Sequence, residues 1–122
     1  MKKADLRTTY KSLRKDLNEE QIEGLSLDIA NQLLSLDIWN YSFYHIFLSI
    51  TKHREVNTDY LLNILAGKDK HVVISRSNFE ESSMTHFLLS DNTALRINAY
   101  GIPEPDNGIP IESEMIEVIF VP

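Results

Sequence analysis

The chain has 122 residues, of which 43% are hydrophobic and 25% are charged. This length and composition are typical of one small globular domain and exclude a mostly disordered chain. No apolar run approaches the roughly 18–20 residues of a membrane-spanning helix, and the lack of cysteine excludes disulfides and thiolate metal sites. Because the N-terminal residues lack the apolar core of a signal peptide, we expect a cytoplasmic protein.

The net charge of −6 is unevenly distributed along the chain. Residues 1–16 contain six basic and two acidic side chains, so they carry +4 and the remaining 106 residues carry −10. A protein that binds nucleic acid over much of its surface is expected to be basic overall. The distribution instead allows a local anion site on the first segment.

Residues 3–16 are predicted to form an amphipathic helix. Apolar side chains recur at the spacings of one helix face, and they are Leu6, Tyr10, Leu13 and Leu17. Basic side chains form a second stripe beside them, and they are Lys3, Arg7, Lys11 and Arg14. A solvated basic edge and an anion-binding stripe are both compatible with this pattern.

The middle of the chain alternates helices with apolar strands. A second helix is predicted from about residue 19 to 34, because Asn18 is a suitable N-cap and acidic residues follow it. Residues 44–50 and 71–75 have the composition of buried strands, and the helix between them is predicted to end at Gly67 as a left-handed cap. A strand, a helix and a strand in this order predict two parallel strands with a right-handed connection.

The last third of the chain is predicted to contain shorter strands. Residues 84–89 and 95–100 are candidates for a hairpin or meander at the periphery of the sheet. The apolar residues 116–122 are predicted to form a central parallel strand that is buried on both faces. In open α/β sheets ligands bind beyond the carboxyl ends of such strands, which here is where the sequence stops.

Five segments in order resemble the N-terminal two-thirds of the 5-formyltetrahydrofolate cyclo-ligase family. They are Lys3-Ala4-Asp5-Leu6-Arg7, Ile46-Phe47-Leu48-Ser49, Glu55-Val56-Asn57-Thr58, Tyr100-Gly101-Ile102-Pro103-Glu104-Pro105 and Val118-Ile119-Phe120-Val121-Pro122. The resemblance covers residues 1–122 and implies a single, truncated α/β domain. The implied fold is a three-layer, mainly parallel sheet with flanking helices, related to sugar-phosphate isomerases and CoA transferases.

The resemblance also implies an activity in folate one-carbon metabolism. Enzymes of this family are ligases that use ATP and Mg²⁺ to convert 5-formyltetrahydrofolate into 5,10-methenyltetrahydrofolate. ATP phosphorylates the formyl oxygen, and the neighbouring amine then closes the ring and expels phosphate. Because the first step is a phosphoryl transfer, it depends on cations around the phosphates more than on covalent protein chemistry.

The resemblance extends to four residues of the expected site. Lys3 and Arg7 match the family's basic helix, which touches ATP phosphate, and the planar guanidinium of Arg7 suits phosphate oxygens. Leu48 and Glu55 match positions that line the folate site, where a carboxylate can accept hydrogen bonds from the amino-pyrimidine of a pterin. We therefore expect Lys3 and Arg7 to face the same cleft as Glu55. No catalytic residue is assigned.

The chain departs from the family pattern in its last part. Family members continue through an aspartate-containing loop into a glycine-rich stretch that cradles phosphate and helps to hold magnesium. The four glycines here stand at positions 24, 67, 101 and 108, so they form no such stretch. We therefore expect no metal site in this chain, little ATP-dependent turnover from residues 1–122 alone, and self-association through exposed faces.

Three classes of function stay open at this point. The first is a cyclo-ligase, and the second is an inactive, shortened relative that binds a nucleotide, a folate or a partner chain. The third is a nucleic-acid-associated domain, which the acidic remainder of the chain disfavours. Arg76 is expected either in the cleft or in a surface salt bridge, and Glu104 in solvent. The four histidines lack metal-binding spacing, so structural roles are favoured for them.

Overall fold

A computed structural model describes residues 2–50, 54–78, 80–90 and 93–122. The helices in these ranges are α1 (Lys3–Lys15), α2 (Glu19–Leu34) and α3 (Asp59–Gly67). The strands are β1 (Phe43–His45), β2 (His71–Asn78), β3 (Ser83–Leu88), β4 (Leu95–Ile97), β5 (Pro103–Pro105), β6 (Pro110–Ile111) and β7 (Val118–Ile119). A short 3-10 turn (Ser113–Met115) precedes β7. No helix in the described ranges is long and apolar enough to cross a membrane.

The start of α2 follows the sequence signal. The side chain of Asn18 accepts a hydrogen bond from the Gln21 N–H at 2.8 Å, and the Gln21 side chain accepts one from the Asn18 N–H at 2.9 Å. This reciprocal box satisfies two N–H groups that lack partners at a helix start. The predicted cap at Gly67 is wrong, because Gly67 is the last helical residue and Asp69 takes the left-handed backbone, with φ of 56°.

A five-stranded mixed sheet with the order β6-β3-β2-β1-β7 forms the centre of the fold. β1 pairs in parallel with both β2 and β7, whereas β3 pairs antiparallel with β2 and β6. The β1-α3-β2 unit is therefore parallel, and β1 and β7 share one sheet, as predicted. The α/β fold with flanking helices is confirmed.

Three strand positions differ from the prediction. β7 lies at the edge of the sheet, and its residue Ile119 and the nearby Val121 are 61% and 79% exposed. β3 is not peripheral, because it lies between β2 and β6. The predicted pairing of residues 84–89 with 95–100 is absent among the described residues: β3 forms its hairpin with β2, and β4 pairs with β5 in a separate sheet. An apolar run predicts a strand but not which strands pair with it. β2 also extends beyond the predicted residue 75, because the polar residues up to Asn78 continue the strand.

The hydrophobic core lies between α3 and one face of the sheet. Six buried side chains form it, and they are Tyr44, Ile46, Leu61, Leu65, Val72 and Ile74. Trp39 closes one end, since its indole N–H donates to the Leu33 carbonyl at 3.1 Å and its ring stacks on Tyr44. The core fixes β1 against α3 and so defines the space beyond the carboxyl end of β1.

Candidate functional site

A pocket of about 670 Å³ opens beyond the carboxyl end of β1, and we call it the main pocket. Residues of α2, of the segment after β1, of the start of α3 and of the β4–β5 sheet line it, among them Ile22, Ser49, Leu95 and Pro103. Ligands of open α/β sheets bind beyond the carboxyl ends of the parallel strands. The main pocket therefore lies where this fold favours a binding site.

The main pocket brings together the two residues expected at a folate site, Leu48 and Glu55. Leu48 is half-buried and packs against the core. Glu55 is also half-buried, and its Oε1 atom accepts a hydrogen bond from the Ile50 N–H at 2.7 Å. That bond orients the carboxylate, and no described residue hydrogen-bonds to its second oxygen.

Hydrogen bonds from two sides hold the segment 54–58, which carries Glu55. The Ser49 hydroxyl donates to the Val56 carbonyl and accepts from the Thr58 N–H at 3.1 Å. On the other side, Ser26 of α2 accepts from the Asn57 N–H at 2.8 Å. Ser26 and Thr58 are both buried, and burial of a polar group is costly unless it is hydrogen-bonded. The segment is therefore tied both to α2 and to the residues that follow β1.

Acidic side chains dominate the charge of the main pocket. Glu19, Glu23, Glu55 and Asp59 line it, opposed by Arg54, which donates to the Leu17 carbonyl. Hydrogen bonds from the Tyr60 hydroxyl at 2.6 Å and the Asn57 amide at 2.8 Å hold the pKa of Glu23 below its usual value. A pocket of this charge suits a ligand that presents N–H donors and disfavours a phosphate group.

The two basic residues expected at ATP lie on α1, which buries none of its side chains. Lys3 and Arg7 are exposed and four residues apart, and neither has an ion-pair or hydrogen-bond partner within the described part of the chain. Arg14 of the same stripe lines a second, mainly apolar pocket of about 270 Å³ that also includes Glu55. Lys3 and Arg7 line neither of these two pockets. Their place in one cleft with Glu55 stays a prediction.

Comparison with known proteins identifies the family. The model of the 5-formyltetrahydrofolate cyclo-ligase family matches residues 1–122. The chain belongs to that family. The NMR structure of Aquifex aeolicus 5,10-methenyltetrahydrofolate synthetase has the same fold, with a TM-score of 0.77 and 24% sequence identity. The match covers 98% of this chain and 59% of that chain. No curated protein matches the sequence.

Potential metal-ligating side chains do not cluster in the described residues. No group of three or more His, Asp or Glu side chains in these ranges is arranged to hold a metal ion. Magnesium requires near-octahedral oxygen ligands, several of which are commonly water and substrate phosphate.

A row of polar side chains crosses three neighbouring strands of the cyclo-ligase fold. His45 Nε2 lies 2.7 Å from Ser75 Oγ, and Ser75 Oγ lies 2.6 Å from His86 Nδ1. His86 Nε2 in turn lies 3.1 Å from Ser113 Oγ. Burial, and the charge of His86, lower the pKa of His45. No sequence pattern indicates this row, because only the strand register brings together residues that are 30 and 11 positions apart.

The remaining candidates lie apart from the main pocket. His71 stacks on Phe43, whereas His53 lies outside the described residues. Arg76 donates to the Asp106 carbonyl and lies 5.3 Å from the Phe87 ring centre, so among the described residues it is neither in the main pocket nor in a salt bridge. Glu104 is half-buried and accepts from the Ser77 N–H at 3.4 Å, which corrects its expected place in solvent.

Proposed function

We propose that this family member converts 5-formyltetrahydrofolate into 5,10-methenyltetrahydrofolate with ATP and Mg²⁺. The observation that carries the proposal is that Leu48 and Glu55 line one pocket beyond the end of β1. Membership in the 5-formyltetrahydrofolate cyclo-ligase family supports a function of this kind. The volume of the pocket, about 670 Å³, is in the range of small-molecule sites.

The folate is proposed to place its pterin in the main pocket. The free oxygen of the Glu55 carboxylate accepts hydrogen bonds from the amino-pyrimidine, while the Ile50 N–H holds the other oxygen. Leu48 supplies apolar contact to the ring. The acidic lining favours this donor-rich end of the ligand over its carboxylate tail.

The ATP phosphates are proposed to bind on the side of the basic helix α1. The main pocket would repel phosphate, whereas Lys3 and Arg7 are exposed cations without competing partners among the described residues. The formyl oxygen attacks the γ-phosphorus and ADP leaves, so that the formyl carbon becomes electrophilic. The neighbouring amine then attacks that carbon and releases its proton to water, and phosphate leaves as the ring closes. Lys3 and Arg7 stabilise the negative charge of the transferring group.

A second candidate is a domain that binds a nucleotide, a folate or a partner chain without turnover. The chain spans 59% of the length of the solved relative, and its four glycines form no phosphate-cradling loop. Phosphoryl transfer requires donors and cations around the transferring group. This second candidate predicts that these residues bind the folate with little or no turnover.

We also propose that two copies of the chain associate through exposed apolar side chains, and that the protein works in the cytoplasm. On α1, Leu6, Tyr10 and Leu13 are between 42% and 61% exposed, and β7 leaves one edge of the sheet unpaired within the described residues. Unpaired strand edges and apolar patches favour association.

Titration and turnover measurements on the purified 122-residue chain distinguish these functions. The ligase function is supported if the chain binds 5-formyltetrahydrofolate saturably and the absorbance of methenyltetrahydrofolate appears after MgATP is added. Binding without absorbance supports the binding domain. An absence of both, in a chain that circular dichroism shows to be folded, contradicts the proposed folate function.

A further inference from the structure

Asn57 makes three hydrogen bonds that join α2 to the start of α3. Its N–H donates to Ser26 Oγ at 2.8 Å, and its side-chain Nδ2 donates to Glu23 Oε1 at 2.8 Å. Its side-chain Oδ1 accepts from the Asp59 N–H at 2.9 Å, at the first residue of α3. The side chain thus serves as donor on one side and acceptor on the other, which an amide can do and a carboxylate cannot.

Glu23 is fixed independently of Asn57. The Tyr60 hydroxyl on α3 donates to Glu23 Oε2 at 2.6 Å, so the two oxygens of Glu23 bind different donors. Glu23, Asn57 and Tyr60 therefore link α2, the segment 54–58 and α3. Glu55 lies two positions before Asn57 in the segment that this link holds.

From this geometry we infer that Asn57 and Glu23 are positioning residues: they hold the segment 54–58 so that the Glu55 carboxylate stays in the main pocket. The identity of the ligand that Glu55 binds rests on the proposed function. The positioning itself is a property of the free protein. It can be measured there because the Ile50 N–H donates to Glu55 Oε1 and reports where that carboxylate lies.

The inference is tested by removing the hydrogen bond between Asn57 and Glu23 and then restoring it with donor and acceptor exchanged. Asn57→Asp keeps the acceptor for the Asp59 N–H but places a carboxylate against Glu23. We expect amide hydrogen exchange at Ile50 to become faster by about tenfold, and the Kd for 5-formyltetrahydrofolate to rise by about tenfold, as for one lost hydrogen bond. Adding Glu23→Gln should restore both quantities. The amide introduced at position 23 can donate to the carboxylate introduced at position 57, and its carbonyl can accept from Tyr60.

Two further variants complete the experiment. Glu20→Gln removes the same charge from α2 at an exposed residue without a side-chain partner in the described chain, and it should change neither quantity. If Asn57→Asp does not fold, Glu23→Ala at its exposed position replaces it and should also speed exchange at Ile50.

The two readouts separate this inference from the proposed function. A wild-type chain that binds no 5-formyltetrahydrofolate contradicts the proposed function, yet exchange at Ile50 still decides the positioning role. The inference is overturned if the amide of Ile50 exchanges in Asn57→Asp at the same rate as in the wild type. The same holds for Glu23→Ala where that variant is used instead. A double variant no better than Asn57→Asp also overturns it.

Discussion

At the scale of single residues, a buried hydroxyl on α2 secures the segment that lines the main pocket. Ser26 is 2% exposed and accepts from the Asn57 N–H, so this bond is shielded from water. An N–H group that loses its acceptor in such a place keeps the cost of its desolvation. Ser26 Oγ therefore contributes to the stability of the pocket wall.

We expect Ser26→Ala to lower the free energy of unfolding by about 1–3 kcal/mol, because the Asn57 N–H is left without a partner. Ser12→Ala is the matched control, since Ser12 is exposed on α1 and the same atom is removed. Urea unfolding of both variants measures the difference. Equal midpoints for the two variants would show that the bond does not contribute.

The row of His45, Ser75 and His86 predicts a pH dependence of stability. Burial, and the charge of His86, lower the pKa of His45 in the folded chain, so the unfolded chain takes up the proton at a higher pH. The stability is therefore fully present above the ordinary pKa of histidine, about 6.5, and is lost as the pH falls below it.

His45→Gln should reduce this loss of stability, whereas His71→Gln, at an exposed position, should leave it as in the wild type. The difference between the unfolding free energies at pH 8 and at pH 5.5 measures the loss of stability in each protein. The wild type and both variants share the same carboxylates, so the effect of carboxylate titration cancels in the comparison. An unchanged pH dependence in His45→Gln would mean that the row does not oppose protonation.

At the scale of elements, α1 combines an apolar and a basic stripe and buries neither within the described chain. We expect Arg7→Ala to raise the Kd for MgATP by about tenfold or more, because charge-assisted hydrogen bonds to phosphate are among the stronger ones. Lys15→Ala removes a charge from the far end of the same helix and serves as the control. Equal effects of the two changes, measured by calorimetric titration, would reduce the stripe to a solvated helix face.

Local sequence signals sufficed for several elements but not for their arrangement. The capping box of Asn18 and the β1-α3-β2 unit follow from residues near one another in the chain, and the structure confirms both. The edge position of β7 depends on the order in which the strands pair, and the apolar residues of β7 do not predict that order. The hydrogen bond between Ser26 and Asn57, which are 31 positions apart, likewise forms only because α2 packs on the segment 54–58, so no local pattern predicts it. The resemblance predicts Glu55 at a folate site, whereas its hydrogen bond with the Ile50 N–H is seen only in the structure.

At the scale of the whole molecule, apolar side chains remain in solvent at both ends of the chain. Ile119 and Val121 are 61% and 79% exposed beside an edge strand, and α1 buries no side chain. Burial of apolar surface is worth roughly 25 cal/mol per Å². We therefore expect two copies to pair through these faces.

We expect the purified chain to have the mass of a dimer or a larger assembly in light scattering. Ile119→Lys should shift it toward the monomer, because a charge at the edge of the sheet opposes strand pairing. Ile97→Lys, at a 70% exposed position in the separate small sheet, is the control and should leave the mass unchanged. A monodisperse wild-type monomer would contradict the proposed association.

The proposed folate function requires that Glu55 binds the pterin of the folate in the main pocket. Titration of the chain with 5-formyltetrahydrofolate, compared among the wild type, Glu55→Gln and Glu20→Gln, tests it most directly. Loss of a charged acceptor costs about 1.5–3 kcal/mol, so Glu55→Gln should raise the Kd by roughly 10- to 100-fold, while Glu20→Gln leaves it unchanged. The same Kd in all three proteins, or no saturable binding by the folded wild type, would contradict the account.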